Sequence, residues 1–97
     1  MFTKQLVNFV MTQQDDGKQV LLKYMLLHQG AEKFGVLVEK HVIYNGNMSF
    51  VEECGSNEKY SFADALKFAE LCTKCKIFPS TYPEVEREAC SSGGATA

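Results

Sequence analysis

Residues 34–54 read FGVLVEKHVIYNGNMSFVEEC, two runs with apolar residues at alternate positions around Asn45-Gly46-Asn47. Alternation of this kind belongs to a strand with one face turned inward, because successive strand side chains point to opposite sides. Asn and Gly readily take the positive φ that a tight hairpin demands. The stretch is therefore a hairpin, and two loop lengths compete for it. A two-residue loop would set Val38 against Glu53 and Glu39 against Glu52. A three-residue loop sets Tyr44 against Met48, Val42 against Phe50, Lys40 against Glu52 and Val38 against Cys54. Cross-strand partners of matching character favour the three-residue loop, with Asn47 in the left-handed position that closes it.

Upstream, Asp16-Gly17 separates the apolar runs of residues 5–13 and 18–29 and predicts a two-residue type I′ turn. Asp15 then faces Lys18, and Met11, Phe9 and Val7 face Leu22, Tyr24 and Leu26. The short link around Gly30 makes the second and third strands neighbours, which gives a four-stranded antiparallel meander. Downstream, Gly55-Ser56-Asn57 ends the sheet. Ser61, with Asp64 three positions on, caps a helix running from Phe62 to about Lys76. Its apolar stripe is Phe62, Ala65, Leu66, Ala69 and Cys72, widened by Phe68 and Leu71. Phe78-Pro79 breaks the chain, and Thr81, Pro83 and Glu84 open a shorter helix that ends before Cys90. The expected fold class is thus α+β: a four-stranded antiparallel β-meander with one main helix packed on the sheet and a short C-terminal helix. Its core should unite Phe9, Leu22, Tyr24, Val36, Phe50, Leu66 and Ala69. Residues 1–90 form a single domain, and 91–97, built of Ser, Gly, Ala and Thr, form a disordered tail.

Ninety-seven residues leave room for one core only. Ten basic against twelve acidic residues give a net charge of −2, without a dense basic window, which disfavours a nucleic-acid partner. Asn8, Lys23, Glu39 and Lys40 interrupt the apolar stretches far short of the roughly 20 residues of a membrane span. Lys4 is followed by a short apolar run without a small-residue cleavage site, so the expected compartment is the cytoplasm.

The chemistry-bearing residues divide into a few sets. Cys72 and Cys75 have the spacing of a redox or zinc half-site, and Cys54 and Cys90 could complete four thiolates. The pair falls near a helix C-terminus, however, where the dipole raises a thiol pKa, and the other two cysteines are isolated. Packing thiols without a bound metal are expected. His41 falls beside Glu39 and Glu53 in a small polar cluster opposite Val51, on the sheet face away from the helix; a solvated strand face accounts for such a group. His28 stands apart. Glu84, Glu86 and Glu88 read as a solvated helix face. No phosphate loop, dinucleotide fingerprint, nucleophile elbow, His-Glu-x-x-His or calcium loop occurs.

The same strands place Leu6, Val10, Leu21, Met25, Leu27, Leu37, Ile43 and Val51 on the face opposite the helix, more apolar bulk than a face left in water carries. Either the short helix folds round to cover it, anchored by Tyr82 and Val85, or the strand register differs from the one drawn above, or a partner covers the face. The partner reading makes Leu21, Met25, Leu37, Ile43 and Val51 an interface, most simply in a two-fold homodimer. The strand opening at Phe34-Gly35-Val36-Leu37-Val38, the helix through Leu66 and Leu71, and the Pro-containing loop into Glu84-Val85-Glu86 resemble a family of small bacterial domains of Firmicutes that has no assigned function. The resemblance covers about the C-terminal two thirds of the chain. It implies a bacterial cytoplasm, carries over no functional residue and does not include the Cys72 and Cys75 pair. A non-catalytic protein-interaction or regulatory module, without cofactor, nucleic acid or membrane, is the expected function. A small cysteine metal-binding module, or an enzyme of another type, is the alternative.

Overall fold

The computed structural model describes residues 3–14, 16–30, 32–56 and 59–88. Strands β1 (Thr3–Gln13), β2 (Gln19–His28), β3 (Phe34–Tyr44) and β4 (Asn47–Gly55) form one antiparallel sheet in sequence order. Helix α1 (Phe62–Cys75) and a short helix α2 (82–88) follow. The molecule is the α+β meander that the alternation and the helical spacing imply. The expected tail, 91–97, and Cys90 lie outside the described residues, as does Asp15.

Both hairpins differ from expectation, in opposite senses. In the first, Gln13 pairs with Gln19, the Gln14 N–H donates to the Lys18 carbonyl at 2.8 Å, and the Gly17 N–H donates to the Gln14 carbonyl at 3.3 Å. The loop therefore has three residues, with Gly17 at φ +83° in the left-handed position that closes it. A one-residue change of register sends side chains to opposite faces. Val10, rather than Met11, meets Leu22, and Phe9 meets Lys23. A bulge between Leu6 and Asn8 shifts the register again, so Leu6 pairs with Met25 while Val7 packs against the core.

The second loop has two residues. Asn45 and Gly46 both have positive φ, +53° and +79°, and Tyr44 pairs with Asn47, which is a strand residue and not the left-handed one. His41 consequently meets Phe50, and Ile43 meets Met48. A second bulge, between Lys40 and His41, then restores the pairs Lys40 with Glu52 and Val38 with Cys54. The tip thus takes the shorter loop and the base keeps the register of the longer one, with Val51 as the extra residue.

Helix α1 starts where Ser61 Oγ accepts the Asp64 N–H at 3.2 Å, and it ends at Lys76 in the left-handed conformation. It buries Ala65, Phe68, Ala69 and Cys72, so its stripe is centred one position away from Leu66, which is half-buried, while Phe62 and Leu71 are exposed. Beneath it lie Val20, Leu22, Tyr24 and Leu26 of β2 and Val36 and Val38 of β3. Each such apolar side chain withdrawn from water contributes roughly 1.5–3 kcal/mol. Phe9 and Phe50, expected in this core, stand 54% and 56% exposed on the other face. The slipped registers put them there.

Helix α2 joins the same layer as α1. Tyr82 is buried against Phe68 and the core cluster, and its hydroxyl donates to Ser56 Oγ at 2.9 Å. Ser56 Oγ also accepts the Val36 N–H, so the end of the sheet holds the start of α2. Tyr60 donates to the Glu86 carboxylate at 2.8 Å, and Tyr24 donates to the Ile77 carbonyl at 3.0 Å, which fixes the connection between the helices. The short helix therefore does not fold round to the opposite face. The molecule measures 16 Å along its shortest axis, the thickness of one sheet and one helical layer. Among the described residues, no helix is long and apolar enough to cross a membrane.

Candidate interaction face

With both helices on one side, no element among the described residues covers the other side of the sheet. Its side chains line up in rows across the strands. Met11, Leu21, His41 and Phe50 form one row; Phe9, Lys23, Glu39 and Glu53 form the next; Leu6, Met25, Leu37 and Gly55 form the third. A charged row thus lies between two apolar ones. Leu21, Met25 and Leu37, on the central strands, retain only 8%, 7% and 6% exposure. The exposed apolar side chains of this face lie on the edge strands, Leu6, Phe9 and Met11 on β1 and Met48 and Phe50 on β4, with Val51 exposed at the bulge.

Of the interface residues expected from sequence, Leu21, Met25 and Leu37 form the floor of this face, Ile43 is half-buried beside Met48, and Val51 is exposed at the bulge. Val10 belongs to the other side, where it packs against the core. Sequence reasoning misses Phe9, Met11, Met48 and Phe50. Their signal lies in the alternative loop lengths, each of which moves one strand's aromatics to the bare face.

Glu39 ties the charged row to Lys4 and His41, which lie outside it. Glu39, 8% exposed as a residue, accepts from Lys4 Nζ through Oε2 at 3.0 Å and lies 3.0 Å from His41 Nε2 through Oε1. Lys4 also approaches Glu53 at 3.8 Å. Burial alone would raise the Glu39 carboxyl pKa, but the hydrogen bonds with His41 and Lys4 outweigh it and hold the group below the ordinary glutamate value. The Glu39 hydrogen bond raises the Lys4 ammonium correspondingly. His41 meets the Phe50 ring edge-on, with centroids 5.6 Å apart. The cluster of His41, Glu39 and Glu53 read from sequence is present, with Lys4 added and Phe50 in place of Val51 opposite the histidine.

A carboxylate that orients a histidine is half of a nucleophilic device, which would need a hydroxyl or thiol on the histidine's other side. The nearby candidates on β4, Ser49 and Cys54, pair with Val42 and Val38 and so belong to the helix-covered face. Among the described residues, the three cysteines do not share one environment. Cys72 is buried on the inner side of α1, Cys75 is exposed at its end and Cys54 is half-buried on β4. Burial pushes the Cys72 thiol up to about 12, with neighbouring Cys75 and Glu86 adding to the effect, and burial also raises Cys54. Among the described residues, no group of three or more His, Cys, Asp or Glu is placed to hold a metal ion. Comparison with protein-family models, curated proteins and solved structures finds no match, so the reading of this face rests on its own geometry.

Proposed function

We propose that the chain is a non-catalytic protein-interaction module that engages its partner through the helix-free face of the sheet. One observation carries this reading: α2 packs beside α1, which leaves Leu6, Phe9, Met11, Met48, Phe50 and Val51 exposed around a floor of Leu21, Met25 and Leu37. An antiparallel sheet turned to water normally alternates towards polar residues on its outer face. Large exposed apolar side chains grouped on one surface mark a contact site, and aromatic and methionine residues are the types enriched there. The embedded charged row would orient a partner and exclude wrong ones.

The test is site-specific photo-crosslinking in living cells. A photoreactive residue at position 9 should give a discrete protein adduct, and the same residue at Lys67, on the solvent side of α1, should not. Absence of an adduct from position 9, or equal adducts from both positions, would overturn the reading.

A further inference from the structure

The geometry points to a second copy of this chain as the occupant of the bare face, packed sheet on sheet about a two-fold axis that runs parallel to the strands. This inference rests on the interaction-module reading and names its partner. Three observations lead to it.

The first is the charge pattern of the middle row. Lys23 sits on β2, directly across from Glu39 on β3, and Glu53 follows on β4. Lys4 pairs with Glu39 and Glu53, while Lys23, among the described residues, has no ion-pair partner within the chain. Rotation about an axis parallel to the central strands lays β2 of one copy over β3 of the other and keeps each row at its own level. Lys23 then faces Glu39 of the second copy, twice by symmetry. The same rotation places Met25 over Leu37 and Leu21 over His41, and Leu6 over Gly55, where the missing side chain leaves room. An in-plane axis perpendicular to the strands and centred on this row would instead set Lys23 on Lys23 and Glu39 on Glu39. Like charges brought together at a contact are strongly disfavoured. The row therefore selects one two-fold arrangement and rejects the other.

The second observation is size. Four strands about 4.8 Å apart and about ten residues long, at about 3.3 Å per residue, present roughly 600 Å² of face per copy. Two copies together reach roughly 1,200 Å², where stable specific interfaces begin. Sheets pack in this way with their strands roughly aligned and their inner side chains interdigitated.

The third observation concerns the alternative route to a dimer, through the edges. Both edge strands are bulged, β1 between Leu6 and Asn8 and β4 beside Val51. Bulges of this sort interrupt the regular ladder that edge-to-edge pairing needs. The faces remain.

Sedimentation equilibrium of the purified full chain tests the proposal. The wild type should sediment at twice its 10.9 kDa chain mass. Lys23→Glu and Glu39→Lys should each weaken self-association by about tenfold or more, the effect of opposing like charges at a close contact. An equimolar mixture of the two variants should restore the dimer, because each contact then sets a carboxylate against an ammonium: the two introduced side chains face each other, and so do the two native ones. Circular dichroism reports whether each variant is folded. Should Glu39→Lys fail to fold, Phe9→Asp replaces it and is expected to give a folded monomer. A wild type that stays monomeric at every accessible concentration overturns the proposal, as does a dimer that survives both Lys23→Glu and Phe9→Asp. If the position 9 crosslink in cells nevertheless captures a protein of different mass, the second-copy proposal fails while the interaction reading stands.

Discussion

Glu39 shows how one residue ties sequence to site. It lies on β3 in a row otherwise bordered by apolar side chains, and it is tolerated there because Lys4 and His41 both reach its carboxylate at 3.0 Å. A buried acceptor that loses its charge leaves those partners without compensation, so Glu39→Gln should cost about 1–3 kcal/mol near neutral pH. The pH dependence has a definite sign. The folded protein holds the Glu39 carboxyl below its ordinary value, so this contribution is fully present above the ordinary glutamate pKa and is lost as pH falls through and below it. Thermal melts below about pH 5, where an ordinary glutamate of pKa about 4.3 begins to protonate, should show the wild type losing more stability than Glu39→Gln. Parallel pH curves would contradict this role. The thiols make a second contrast at this scale. Cys75, exposed at the end of α1, should be alkylated promptly in the native protein, whereas Cys72, buried and raised to about 12, should react only on unfolding. Mass spectrometry after a brief iodoacetamide pulse reads both, and equal labelling would mean that α1 is not packed as described.

At the scale of elements, the turns decide which side chains are inside. Gly46 at φ +79° and Asn45 at +53° build the second loop, and an alanine at position 46 must enter the left-handed region at a cost of roughly 1–2 kcal/mol. Urea unfolding of Gly46→Ala should show that loss, and an unchanged midpoint would argue against the two-residue loop. The helix makes a matching prediction. Phe68 is buried between Tyr60 and Tyr82, so Phe68→Ala should cost about 3–5 kcal/mol, whereas alanine at exposed Leu71 should stay within about 0.5 kcal/mol. The elements themselves are legible in the sequence: alternation, Asp16-Gly17, Asn45-Gly46, the Ser61 cap and Phe78-Pro79 all mark real boundaries. Register is not. Asp-Gly suits both a two-residue loop and a type I turn closed by glycine, and each bulge adds a residue that leaves no local signal. Sequence reasoning therefore places Phe9 and Phe50 in the core although both lie on the bare face. The candidate site is half legible for the same reason, since Leu21, Met25 and Leu37 follow from the central pairing of β2 with β3, which has no bulge.

For the whole molecule, the decisive feature is that both helices occupy one side of a sheet that is apolar on both. Tyr82, Ser56 and Glu86 anchor α2 to that side, so the chain has nothing left among its described residues to cover the other. Phe9→Asp should accordingly leave the stability of the dilute chain within about 0.5 kcal/mol of the wild type, the scale of surface changes, while an Asp at Phe68 should abolish folding. Hydroxyl-radical footprinting shows whether a partner covers this face, by comparing Met11 and Phe50 in intact cells with the same residues in the purified, dilute chain. Both should be oxidised readily in the dilute chain and protected in cells, with Phe68 and Tyr82 protected in both. Equal oxidation of Met11 and Phe50 in the two settings would contradict this.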